Sequence, residues 1–127
     1  MEYNGLICGD SDIILKEMKS DGFIADLILT DPPYNLNKDF GNDSDKLSLD
    51  EFLAISRERI SLCKDLLKPQ GSLVWFGIHN YIGFIQVMMY ELGLYYRRMN
   101  IWYYENGFSR MTTSPLAQYE PFLWFSK

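Results

Sequence analysis

In the stretch LILTDPPYNLN, residues 27–37, an apolar run ends on an acid, two prolines and a tyrosine. A residue that precedes proline is pushed out of the helical region, so Asp31 and Pro32 are both expected to be extended. Neither proline has an N–H, yet each keeps its carbonyl. The result is a stiff turn rich in acceptors, the Asp31 carboxylate followed by the Pro32 carbonyl, with the flat ring of Tyr34 within reach. Such a turn suits a planar heterocycle that bears an amino group. That amine is a poor nucleophile because its lone pair is delocalised into the ring. Accepting both of its hydrogens favours a pyramidal nitrogen, and a nearby carboxylate stabilises positive charge as the nitrogen attacks. A base inside a duplex has to be flipped out to reach such a site. Without that context, Asp and Pro simply favour turns.

The elements around the turn alternate between strand and helix. GLIC (5–8) reads as a short buried strand, and Ser11 as the cap of a helix that breaks at Asp21-Gly22. ADLILT (25–30) is apolar without alternation, as in a parallel strand covered on both faces. Residues 35–46 are polar and turn-rich, hence a loop. Ser48 with Glu51 forms a capping box, and the helix after it places Phe52, Leu53, Ser56, Ile60, Cys63 and Leu67 on one side. KPQG (68–71) stops that helix, and SLVWFG (72–77) is a third buried strand. A helix from about Asn80 to Leu92 ends at Gly93. Segments 95–107 and 120–127 then read as two strands forming an antiparallel hairpin. The order β-α-β-α-β-α-β-β predicts an α/β fold with a mostly parallel sheet and this hairpin at its edge.

Of the 127 residues, 47% are apolar, enough for one globular domain, and 23% are charged, which argues against disorder. Cys8 and Cys63 lie on apolar-patterned segments and read as buried free thiols in a reducing, cytoplasmic setting. A single histidine and no CxxC argue against a metal site, and no apolar stretch reaches the roughly 20 residues of a membrane span. The net charge is −5, and residues 93–127 are the better place for a polyanion because they hold 4 Lys/Arg against 2 Asp/Glu.

DPPYN after an apolar strand resembles the signature of the DNA amino-methyltransferases, which move a methyl group from S-adenosylmethionine to adenine N6 or cytosine N4. ICGD before the first helix resembles the acidic strand end that lies against the cofactor's adenine. LLKPQGSLVWF resembles the helix–turn–strand that follows the catalytic turn, and NIWYYENG with QYEPFLWF resembles the closing hairpin. The resemblance implies catalytic roles for Asp31, Pro32, Pro33 and Tyr34 and cofactor binding by Asp10 and Asp31. Asn35, Lys38, Phe40 and Tyr104 fall where the family meets its target base. Asp in the motif leans toward adenine, since cytosine-N4 enzymes often carry Ser there.

Only 30 residues precede Asp31 and no GxG occurs in the chain. That order is similar to the permuted β class, in which the target-recognition region and an FxGxG cofactor loop follow the catalytic motifs. Residues 1–127 are thus expected to form the N-terminal catalytic part of an incomplete Rossmann-like methyltransferase sheet. The missing strands would lie between GLIC and ADLILT. DNA is the expected partner, with a second chain supplying the glycine loop, or with self-association. An inactive truncated remnant that acts at most as an interaction domain is the alternative. A protein-glutamine methyltransferase, which uses a related NPPY turn, fits less well because Asp stands in place of Asn.

Overall fold

The computed structural model describes residues 3–37, 46–105 and 117–127. Its elements are α1 (Ser11–Ser20), β1 (Ala25–Thr30), α2 (Leu49–Leu66), β2 (Leu67–Phe76), α3 (Ile82–Glu91), β3 (Tyr95–Tyr103) and β4 (Tyr119–Ser126). The four strands form one sheet in the order β1-β2-β4-β3. β1 and β2 are parallel, and β4 runs antiparallel to both its neighbours. Three strands therefore point the same way and β4 alone opposes them. The expected mixed α/β architecture with a closing hairpin is what forms.

Helix ends follow local chemistry. Ser48 Oγ accepts from the Glu51 N–H while the Glu51 carboxylate accepts from the Ser48 N–H, a complete capping box. α1 and α3 both stop in a left-handed glycine, Gly22 and Gly93. In each case the glycine N–H and the next N–H reach back to the carbonyls that the helix end leaves free. α1 is capped by Asp10 and not by Ser11: the Asp10 carboxylate accepts from the Asp12 and Ile13 N–H groups. Either residue type can cap, and the acid one position earlier reaches both orphan donors.

The core lies between the sheet and one layer of helices. Directly paired residues share a sheet face. On one face the rows Ile28-Leu73-Phe125-Tyr96 and Thr30-Trp75-Leu123-Met99 point toward the helices. Leu73, Trp75, Leu123 and Phe125 there meet Ile60 and Cys63 of α2 and Ile82, Ile85 and Met89 of α3. KPQG does not end α2 as a separate turn. Leu67 already belongs to β2, and residues 68–71 form an irregularity between the pairs Ala25–Leu67 and Leu27–Ser72, with Gln70 at φ 66°.

GLIC is not a strand. Residues 5–8 pair with nothing in the sheet, Leu6 is fully exposed and Cys8 is exposed too. An extended apolar segment becomes a strand only when a ladder partner is beside it, and among the described residues none is. The two thiols consequently differ: burial pushes the Cys63 pKa up to about 11. A disulfide reagent at about pH 8 should label Cys8 rapidly and Cys63 only on unfolding. Two equally fast thiols would contradict this packing. Among the described residues no helix is long and apolar enough to cross a membrane, and no group of three metal-ligating side chains stands together.

Candidate active site

β1 and β2 end side by side, and the chain leaves β1 straight into Asp31-Pro32-Pro33-Tyr34. The C-terminal end of parallel strands is where α/β sheets place ligands. The site is completed by β4, which enters the sheet at this end. The Gly77 N–H, just past β2, donates to the Pro121 carbonyl at 3.0 Å. That bond locks the start of β4 against the end of β2. Phe76 stacks on Phe122 across the same junction, with ring centroids 4.5 Å apart.

The Tyr34 hydroxyl donates to Asp31 Oδ1. Burial, that hydrogen bond, the Asp31 charge and the nearby Glu120 carboxylate, in that order, hold the Tyr34 pKa far above its ordinary value. Tyr34 therefore stays a donor at any physiological pH. The hydroxyl fixes the carboxylate and leaves Oδ2 and the Pro32 carbonyl as acceptors. Tyr34 packs with Pro32, Pro33, Phe52 and Phe76 around a space of only about 10 Å³, too small for a guest on that side.

A cavity of about 220 Å³ opens on the other side of the turn, bordered by Ser11, Thr30, Asp31, Arg59, Cys63 and Trp75. Arg59 lies on α2 and holds Asp12 of α1 with two hydrogen bonds, 2.7 and 3.0 Å. This ion pair ties the α1 N-terminus to α2 and sets the far wall of the cavity. Asp10 sits next to Ser11, with Oδ1 already committed to capping. A larger cavity of about 610 Å³ lies on the helix side of the β3–β4 hairpin, walled by His79, Ile82, Met99, Tyr103 and Tyr119.

The structure brings Asp31, Pro32, Pro33 and Tyr34 together and puts Asp10 at the nearby helix start. Asn35 stands just beyond the turn. It takes a left-handed φ of 63°, and its amide clamps the Leu47 backbone, donating to the carbonyl at 2.9 Å and accepting from the N–H at 2.8 Å. Asn35 thus closes the base of the loop that follows the turn. Lys38 and Phe40 lie outside the described residues. Tyr104 continues the hairpin ladder through its N–H to the Gln118 carbonyl, and it is Tyr103 that lines the larger cavity. Glu120 and Arg59 have no local sequence signal, because each acquires its position from an element far away in the chain.

Residues 25–127 match the family model of the N6 and N4 methyltransferases, described as DNA methylase. The chain belongs to that family. It is 35% identical over 96% of its length to the type II methyltransferase M.HpaI of Haemophilus parainfluenzae and 31% identical over 98% to M.BglII of Bacillus subtilis. It is 29% identical over 99% to the DNA adenine methyltransferase YhdJ of Escherichia coli. The chain spans only 35–42% of the length of these relatives. Among solved structures, that of M1.HpyAVI with SAM superposes with a TM-score of 0.69 at 26% identity, over 95% of this chain and 53% of that one. The cytosine-N4-specific PvuII DNA methyltransferase superposes with a TM-score of 0.70 at 20% identity, a likeness of fold.

Proposed function

We propose that this chain carries the catalytic turn of a DNA methyltransferase that moves a methyl group from S-adenosylmethionine to an exocyclic base nitrogen, adenine N6 in the first instance. The observation that carries the reading is the Asp31 carboxylate, held by the Tyr34 hydroxyl at the sheet's ligand end. Asp31 Oδ2 and the Pro32 carbonyl accept the two amino hydrogens of a flipped base. They turn its lone pair out of the ring and stabilise the positive charge that grows on nitrogen. The Asp in the motif and the 29% identity to an adenine methyltransferase support N6 over N4.

S-adenosylmethionine supplies an activated methyl group on a sulfonium. The cavity beside Asp31 fits the small charged end of that molecule: at about 220 Å³ it is below the size that encloses a whole drug-sized ligand, and it is lined by a hydroxyl, a carboxylate and a guanidinium. Ser11 stands at its helix-start wall, with Asp10 the preceding residue in the chain. Asn35 clamps the Leu47 backbone, and Tyr103 lines the larger cavity, where an extruded base would lie. The glycine-rich cofactor loop and the reading of the DNA sequence fall to segments outside residues 1–127, which cover 35–42% of the relatives' length. DNA is the substrate, and a glycine-loop-bearing polypeptide is the complementing partner.

The direct test is incubation with labelled S-adenosylmethionine and unmethylated DNA, alone and with a complementing part, followed by digestion to nucleosides. Label in N6-methyladenine is expected. Label in N4-methylcytosine would overturn the choice of base, and label in neither would overturn the catalytic reading.

A further inference from the structure

The cavity beside the catalytic turn is bordered by two charged side chains of opposite sign, Asp31 and Arg59. Ser11 adds a hydroxyl, and Leu15, Cys63 and Trp75 supply apolar wall. Arg59 is the one cation among the described residues that border this space. It stands one turn before Cys63 on α2, so the two share a helix face. Cys63 packs with Trp75 in the core, and Arg59 is thereby carried to the level of the turn.

The guanidinium meets Asp12 through Nε at 2.7 Å and Nη2 at 3.0 Å. A guanidinium has five N–H donors in a fixed fork, so both donors of Nη1 and one of Nη2 are not engaged by Asp12. The side chain is 29% exposed, and a charge meeting it there is screened less than at the open surface. A tether between α1 and α2 needs only the two bonds to Asp12. Here the same group also borders the space beside Asp31.

A guanidinium and a carboxylate in one small cavity match a zwitterion, and an α-amino acid carries its carboxylate and ammonium on one carbon. S-adenosylmethionine ends in that group, a short chain away from its sulfonium. Its methyl must come to the base nitrogen that Asp31 holds, so its amino-acid end has to lie beside the turn. We infer that Arg59 binds the carboxylate of that end, donating N–H groups that Asp12 leaves unused. Such charge-assisted bonds are directional as well as strong. The Asp31 charge complements the ammonium, and Asp12 is a positioning residue that fixes the guanidinium plane. The inference rests on the proposed function for the identity of the ligand.

Calorimetric binding of two ligands tests it, S-adenosylmethionine and its decarboxylated form, which lacks only the carboxylate. Both are titrated into the chain alone and into the chain with its complementing part. The parent is expected to prefer the carboxylate-bearing ligand by roughly 10–100-fold, as for a hydrogen bond between charged groups. Arg59→Met keeps an apolar stem and should lose that preference, with affinity for the decarboxylated form nearly unchanged. Asp12→Asn retains the guanidinium and should retain most of the preference. Thermal melts check the fold. If Arg59→Met does not fold, the double variant Asp12→Asn/Arg59→Met, which leaves no unpaired charge, replaces it. Equal binding of both ligands by the parent would overturn the assignment. So would equal losses of preference in Asp12→Asn and Arg59→Met, which would reduce Arg59 to a tether. Methyl transfer is measured on the same preparations. Transfer without any preference overturns the Arg59 assignment alone, whereas no binding of either ligand, with or without the complementing part, overturns the cofactor reading as well.

Discussion

Asp31→Ala is expected to lower the turnover of the assembled enzyme about 10²–10³-fold, the usual loss when one preorganised electrostatic group is removed from a reacting centre. Asp31 is exposed and stands just beyond β1, so the substitution removes no core contact. Asp31→Asn keeps an acceptor but loses the charge, and should fall between the parent and Asp31→Ala. Tyr34→Phe should cost less than either, since it frees the carboxylate from its hydroxyl donor without removing an acceptor. The pH dependence has a definite sign. Loss of the Tyr34 proton would set a phenolate against Asp31 and Glu120, so its raised pKa keeps the donor intact through its usual ionisation near pH 10. Single-turnover measurements of labelled methyl transfer, with DNA saturating, separate these cases. Equal rates for the parent and Asp31→Ala would remove the carboxylate from the mechanism.

What was legible in the sequence was local. The turn after LILT, the Ser48–Glu51 box and the two glycine stops all depend on residues within a few positions, and each forms as read. The hairpin was legible because two apolar, aromatic segments flank one short polar stretch. GLIC failed for a non-local reason: strand propensity is realised only against a neighbour, and no described strand lies beside it. The true cap of α1 was missed by one position, because Asp10 and Ser11 are both competent. The site's supports were invisible. Arg59 meets Asp12 across 47 residues, and Glu120 comes beside Tyr34 only after β4 inserts between β2 and β3. Asn35 was expected near the target base because the resemblance places that segment there. Its left-handed backbone and its bonds to Leu47, twelve residues on, carry no local sequence signal.

The insertion of β4 also sets the largest expected loss of stability. Phe125 lies on β4 with no exposed surface, opposite Leu73 on one side and Tyr96 on the other. Tyr90 and Tyr96 both meet its ring edge-on, each with centroids 5.4 Å apart. Such pairs add to the area term, because the positive edge of one ring faces the negative face of the other. Phe125→Ala deletes the ring from between two strands held in register by their ladders, so the walls can collapse only in part. The expected cost is about 3–5 kcal/mol, against a total of roughly 5–15 kcal/mol for a domain. The melting temperature should drop by roughly 10 °C or more. Val87→Ala, at a position 57% exposed, should move it little. A calorimetric scan of the three proteins decides the matter, and similar midpoints for Phe125→Ala and the parent would mean that the β2–β4–β3 core is not what holds the domain. The consequence reaches the site through one strand. Pro121, which accepts from Gly77, and Glu120, which lies beside Tyr34, precede Phe125 on β4. Loosening that strand should therefore unseat the Asp31–Tyr34 pair before the sheet unfolds, and Phe125→Ala should lose methyl transfer at temperatures where its secondary structure is still intact.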